Sequence, residues 1–194
     1  MPTPGNRRET RMKISSDQQH VEFTTALGGI VISVDRAAAP LTASNFLTYV
    51  CSGFFDRTAF YRVVAPCNQK GNAVPISVVQ GGWREDVTPP LPPIPHEPTC
   101  QTGLRHRDGV VSMARLAPGT AAGAFFICIG DHPQLDYGGA RNPDQHGFAA
   151  FGEVVQGMDV VRAIWARAEQ EQFLSEPIAI ERALLSRRRW ISVD

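Results

Sequence analysis

An arginine stands inside an otherwise apolar run, Phe60-Tyr61-Arg62-Val63-Val64. A guanidinium against an apolar surface is costly to bury without a partner, so Arg62 is the first candidate for chemistry. The competing reading is a structural arginine paired with a buried carboxylate. A glutamine lies near the end of the next block, Val78-Val79-Gln80-Gly81-Gly82, where its amide could brace or orient such a cation. Three further blocks follow: Val111-Ser112-Met113-Ala114-Arg115, Phe125-Phe126-Ile127-Cys128, and Phe151-Gly152-Glu153-Val154-Val155-Gln156-Gly157-Met158. Strand alternation sends Phe125 and Phe126 to opposite faces, so one belongs to a core and the other is available to a pocket.

Other chemistry finds little support. His20, His96, His106, His132 and His146 lack metal-ligand spacing, and Cys51, Cys67, Cys100 and Cys128 include no Cys-x-x-Cys pair. Zinc and thioredoxin-type readings lose their basis, and neither a metal nor another cofactor is expected. Cys128, in an apolar strand, reads as a small core residue. His106-Arg107-Asp108 matches a kinase triplet, but no glycine-rich loop or strand lysine accompanies it, and Asp108-Gly109 reads better as a turn. The 19 basic and 19 acidic residues balance, which argues against a broad electrostatic grip on nucleic acid or anionic membrane.

The elements that must position Arg62 and Gln80 are mostly strands. With 194 residues, 43% of them apolar, a single domain with a sizeable core is expected. A flexible leader is expected over residues 1–18, a folded domain over 19–186, and a basic tail with Arg187-Arg188-Arg189 over 187–194. The first 19 residues contain no apolar signal-peptide core, and no run of 18 apolar residues exists, so a cytoplasmic location is the expectation. Val21–Thr25 and Gly29–Val34 read as a hairpin. Thr42 reads as the N-cap of a helix whose Ala43, Phe46, Leu47 and Val50 form one apolar face. Strands follow at Thr58–Val64, Ile76–Gln80, Gly109–Ala114, Ala124–Ile129, Phe148–Val155 and Ile178–Leu185. A second helix spans Gly157–Ala168, with Met158, Val161, Ala163, Ile164 and Trp165 as its apolar face. Between the strands lie a turn-rich insertion, Cys67–Pro75, and a proline-rich irregular loop, Trp83–Thr102, in which Trp83 reads as loop packing. Eight strands and two widely separated helices fit a mainly β fold, an eight-stranded antiparallel barrel capped by two α-helices.

Taken in order and framed by the two helices, Phe-Tyr-Arg-Val, Gln-Gly-Gly, Ser-Met-Ala and Phe-Phe-Ile resemble the cyclophilin family of peptidyl-prolyl cis-trans isomerases. The resemblance runs from residue 21 to residue 185. It implies the barrel fold, a site on the barrel's outer surface, cofactor-independent rotation about X-Pro bonds, and proline-containing segments of client proteins as partners. By the same resemblance Arg62 is the catalytic arginine and Gln80 the substrate-orienting glutamine. Phe126 matches the floor of the proline pocket, Leu135 its neighbour, Val78 a position often held by methionine, and Phe148 the pocket edge. Ala114 and Arg115 match the strand that lines the substrate backbone.

The chain departs from the family pattern at several of these positions. Ser77 replaces a pocket phenylalanine, Ala124 a glutamine that contacts substrate, and Gln134 the tryptophan tied to cyclic peptide inhibitors, so weak cyclosporin binding is expected. The insertion leaves the match at Ser77 and Val78 open by a residue or two. A monomer is expected, assisting protein folding as a catalyst. The alternative is a proline-peptide binding module or holdase chaperone with little turnover.

Overall fold

Strands build most of the regular structure. The computed structural model describes residues 18–84 and 86–186. The expected leader, apart from Gln18, and the expected basic tail lie outside the described residues. β1 (Gln18–Thr25) and β2 (Gly28–Asp35) form the first hairpin, closed by the two-residue Ala26-Leu27 turn. Seven more strands follow: β3 (Ala59–Val64), β4 (Val78–Gly82), β5 (Val110–Met113), β6 (Ala124–Cys128), β7 (Ala149–Gln156), β8 (Phe173–Ala179) and β9 (Arg182–Leu185). They make one curled antiparallel sheet in the order β8-β3-β4-β6-β5-β7-β2-β1-β9.

The ninth strand corrects the expected eight, and its origin is local. The single final strand expected over Ile178–Leu185 changes partners halfway. Ile180 donates its amide to Thr58 O, beside β3, and the next amide, of Glu181, goes to Thr24 O in β1. The two outermost strands of the sheet are therefore joined by two residues, and the curled sheet is closed by the chain itself.

Among the described residues, three α-helices accompany the sheet: α1 (Pro40–Cys51), the single turn α2 (Thr99–Thr102) at the end of the proline-rich loop, and α3 (Met158–Trp165). Thr42 is not the N-cap of α1. The helix begins three residues earlier than that cap would allow, with Ala39 as its N-cap and Pro40 at its first position, where the missing amide hydrogen costs nothing. Its open amides are met from a distance instead. The buried Glu97 carboxylate accepts from Leu41 N at 3.2 Å, Thr42 N at 2.7 Å and Thr42 Oγ1 at 2.6 Å, and so bolts the proline-rich loop to the helix.

The core lies inside the curl. Phe23, Phe46, Phe55, Phe60, Phe125 and Phe151 meet there with the apolar faces of α1 and α3. On α3 that face is Val160, Val161 and Ile164, with Met158 and Trp165 packed partly buried against the core, while Ala163 is exposed. Trp83 packs against this core with its indole N–H on Phe54 O at 2.7 Å. Among the described residues, no helix is long and apolar enough to cross a membrane.

Candidate active site

Strict alternation along β3 would put Phe60 and Arg62 on the same face. A β-bulge prevents this. Phe60 pairs with Gly81 and Arg62 with the adjacent Gln80, leaving Tyr61 as the extra residue. Phe60 and Val63 thus enter the core, while Tyr61 and Arg62 both turn to the outer face, where Val64 joins a separate apolar cluster. The two glycines of the Gln-Gly-Gly block serve the same geometry. A Cβ on Gly81 would lie 2.7 Å from the Phe60 ring, and one on Gly82, at φ +87°, would lie 2.4 Å from Gly123 O.

Register then carries the outer face across the sheet. Arg62 stands opposite Gln80, Gln80 opposite Phe126, and Phe126 opposite Ser112. Directly opposed residues share a face, so a cation, an amide and an aromatic ring form one lateral row. Below this row is the second apolar cluster, made of Val64, Ile76, Val78, Ala114, Ala124, Phe126, Cys128 and Leu135, with Phe148 packed against it. Phe125 enters the main core and Phe126 the outer cluster. Burial pushes the Cys128 thiol well above its ordinary range.

The Arg62 guanidinium is gripped by two amide oxygens. Gln80 Oε1 accepts from Nη1 at 2.8 Å, and Gln172 Oε1 accepts from Nε at 3.1 Å and Nη2 at 2.5 Å. Gln80 in turn donates Nε2 to Tyr61 OH at 2.9 Å. Both amides are neutral, so these two contacts orient the guanidinium through hydrogen bonding. The ring of Phe173, stacked on Tyr61, lies 5.8 Å from the Arg62 carbon Cζ.

Of the residues read from the sequence, Arg62, Gln80, Phe126, Val78, Leu135, Ala114 and Phe148 come together on this face. Two are engaged elsewhere. The Arg115 side chain holds the Asp144 carboxylate through two bonds at 2.8 and 2.9 Å and Gly147 O at 2.9 and 2.6 Å, and it lies over the Phe148 ring at 5.1 Å. It fastens the loop over residues 131–147 beside the pocket. Ser77 is joined through its backbone to His132 and Ile129, and Ile76 takes the apolar place in the cluster. Gln134 donates to Pro75 O at 2.8 Å, tying that same loop to the insertion.

The insertion folds back on itself. Gln69 bonds to Ala65 O and to both backbone groups of Ile76, while Arg141 donates to Val74 O at 2.9 Å. Burial, and then the neighbouring Arg62 charge, pull the Arg141 pKa down. The segment is linked to Arg62 through Gln172, whose Nε2 donates to Asn68 O at 3.2 Å. Sequence reasoning missed Gln172. It sits in an irregular stretch before β8, 110 positions from Arg62, with no pattern to mark it.

Residues 20–184 match the family model for cyclophilin type peptidyl-prolyl cis-trans isomerases. The chain belongs to the cyclophilin family. A peptidyl-prolyl cis-trans isomerase of Streptomyces antibioticus is 37% identical over 145 residues, covering 74% of this chain and 81% of the relative. Peptidyl-prolyl cis-trans isomerase B of Escherichia coli is 36% identical over 145 residues, covering 74% and 82%. A Cryptosporidium parvum cyclophilin type isomerase superposes with a TM-score of 0.72 at 19% identity, over 89% of this chain and 99% of that one, and it has also been solved in the presence of the dipeptide Ala-Pro. This cyclophilin is accordingly a peptidyl-prolyl cis-trans isomerase, which needs no cofactor for its reaction.

Proposed function

We propose that Arg62 is the catalytic group of this cyclophilin, that Gln80 orients it and the substrate, and that Phe126, Val78, Leu135, Ala114 and Phe148 hold the proline ring of an extended client segment. The register row from Arg62 through Gln80 to Phe126 carries this reading. It sets a cation two strand pairings away from the aromatic floor of an apolar seat. The Ala-Pro dipeptide used with the Cryptosporidium relative supports a proline dipeptide as the minimal ligand.

Rotation about an X-Pro bond must break amide resonance, against a barrier of about 18–20 kcal/mol. No nucleophile is required. When conjugation is lost the imide nitrogen regains a lone pair and the carbonyl oxygen loses partial charge, so a donor that prefers the twisted amide to either planar form accelerates exchange. Arg62 can donate to that nitrogen or hold the oxygen as the bond turns. Its orientation by Gln80 and Gln172 is in place before substrate arrives, which limits reorganisation during the reaction. A gain of about 5 kcal/mol corresponds to a few thousandfold.

Replacing Arg62 with Ala is expected to lower kcat/KM by roughly a hundred- to a thousandfold at unchanged thermal stability, measured by NMR exchange on an Ala-Pro peptide. Wild-type exchange rates in the folded variant would sink the assignment. The proposal extends to a monomer in the cytoplasm, supported by four free cysteines, three of them exposed, which suit a reducing compartment. Sedimentation and cell fractionation test those two points. Weak cyclosporin inhibition in the same exchange assay is expected from Gln134, and submicromolar inhibition would contradict it.

A further inference from the structure

His106 is fully buried behind the apolar pocket and takes no part in the reaction just described. Asp136 Oδ1 meets its Nδ1 at 2.7 Å and accepts from its backbone amide at 3.1 Å. A carboxylate at Nδ1 makes that nitrogen the donor. In the neutral ring Nε2 is then left to accept from the Ser112 hydroxyl, 3.0 Å away. The imidazole is therefore held at both nitrogens. It lies nearly parallel to Phe126, with 17° between planes and 6.0 Å between centroids, while Phe148 meets Phe126 edge-on at 5.3 Å. Each end of the hydrogen-bonded chain is attached to the pocket, since Ser112 pairs with Phe126 across the β5–β6 ladder and Asp136 follows Leu135.

Serine, histidine and aspartate in this order resemble a hydrolytic triad, but Ser112 is wholly enclosed and no substrate carbonyl can reach its oxygen. The geometry serves placement instead. We propose that His106, fixed by Asp136 and Ser112, is a positioning residue that sets the tilt of Phe126 and hence the shape of the proline seat. The inference rests on Phe126 being the floor of that seat.

Two variants test it. Ser112→Ala removes the Nε2 partner with little change of volume, and His106→Phe keeps a ring against Phe126 while breaking both side-chain bonds. In each, kcat/KM on an Ala-Pro peptide is expected to fall roughly ten- to a hundredfold, chiefly through KM, and the Phe126 aromatic carbon signals to shift or broaden. If His106→Phe fails to fold, Ser112→Ala alone decides. Either readout unmoved in folded Ser112→Ala, whether the peptide kinetics or the Phe126 signals, overturns the proposal. If the wild-type protein proves to bind the peptide without accelerating exchange, the Arg62 assignment fails, and this test continues with the peptide Kd in place of KM.

Discussion

At the scale of single residues, the grip on Arg62 decides how useful its charge is. An exposed arginine samples many rotamers, and each lost on binding weakens the contact it makes. Gln172 holds the Nε side of the guanidinium, opposite the bond that Gln80 makes at Nη1. Gln172→Ala should therefore lower kcat roughly tenfold. The backbone bond from Val63 N to Gln172 O survives that substitution, so stability should stay within about 1 kcal/mol. Exchange kinetics beside a urea melt check both halves, and an unchanged kcat would show that Gln172 is not needed to orient the cation. Arg62 and Gln80 were legible because polar residues stand out in apolar runs. Gln172 was not, because a glutamine in an irregular stretch looks like any solvated side chain until the chain folds. Ser77 and Arg115 show the reverse case. Their sequence neighbours marked them, yet in the fold Asp144 takes up the Arg115 side chain, and Ser77 meets His132 through its backbone.

At the scale of elements, the strands and both long helices followed from periodicity, and the errors cluster where a distant group replaces a local one. Thr42 has the chemistry of an N-cap, but Glu97, 55 positions away, supplies the acceptor. Local capping rules cannot see a carboxylate delivered by a proline-rich loop. The bulge at Tyr61 was equally hidden, since one extra residue in β3 changes no composition, yet it alone turns Arg62 outward. Glu97→Ala should leave α1 amides buried without acceptors and cost about 1–3 kcal/mol. A lowered urea midpoint at constant slope is the expected result, and an unchanged midpoint would mean that water or another group takes over.

At the scale of the whole molecule, charge pairs set the response to acid. Hydrogen bonds from Arg115, and then from the His146 amide, hold the Asp144 carboxyl well below the usual carboxylate range. Burial works to raise the Asp136 pKa, but the bonds from His106 outweigh it and the net direction is also down. A group whose folded pKa is depressed adds stability above its unfolded value, about 3.9, and that contribution is lost as pH falls through the folded value. Thermal stability should thus decline on acidification below about pH 4, and Asp144→Asn should decline less steeply while melting lower at neutral pH. Parallel pH dependences for the two proteins would contradict this.

The handover at Ile180–Glu181 also bears on how the molecule comes into being. On a ribosome the strands emerge in order, at about 5–20 residues per second. Until residues 173–185 appear, β3 and β1 each expose an unpaired edge, the condition that invites pairing with a neighbouring chain. Gln172 arrives just ahead of those strands, so the nascent protein gains its protected edges and its oriented arginine within the same few residues of synthesis. An enzyme that rotates X-Pro bonds thus closes its own sheet only with the last two of its described strands.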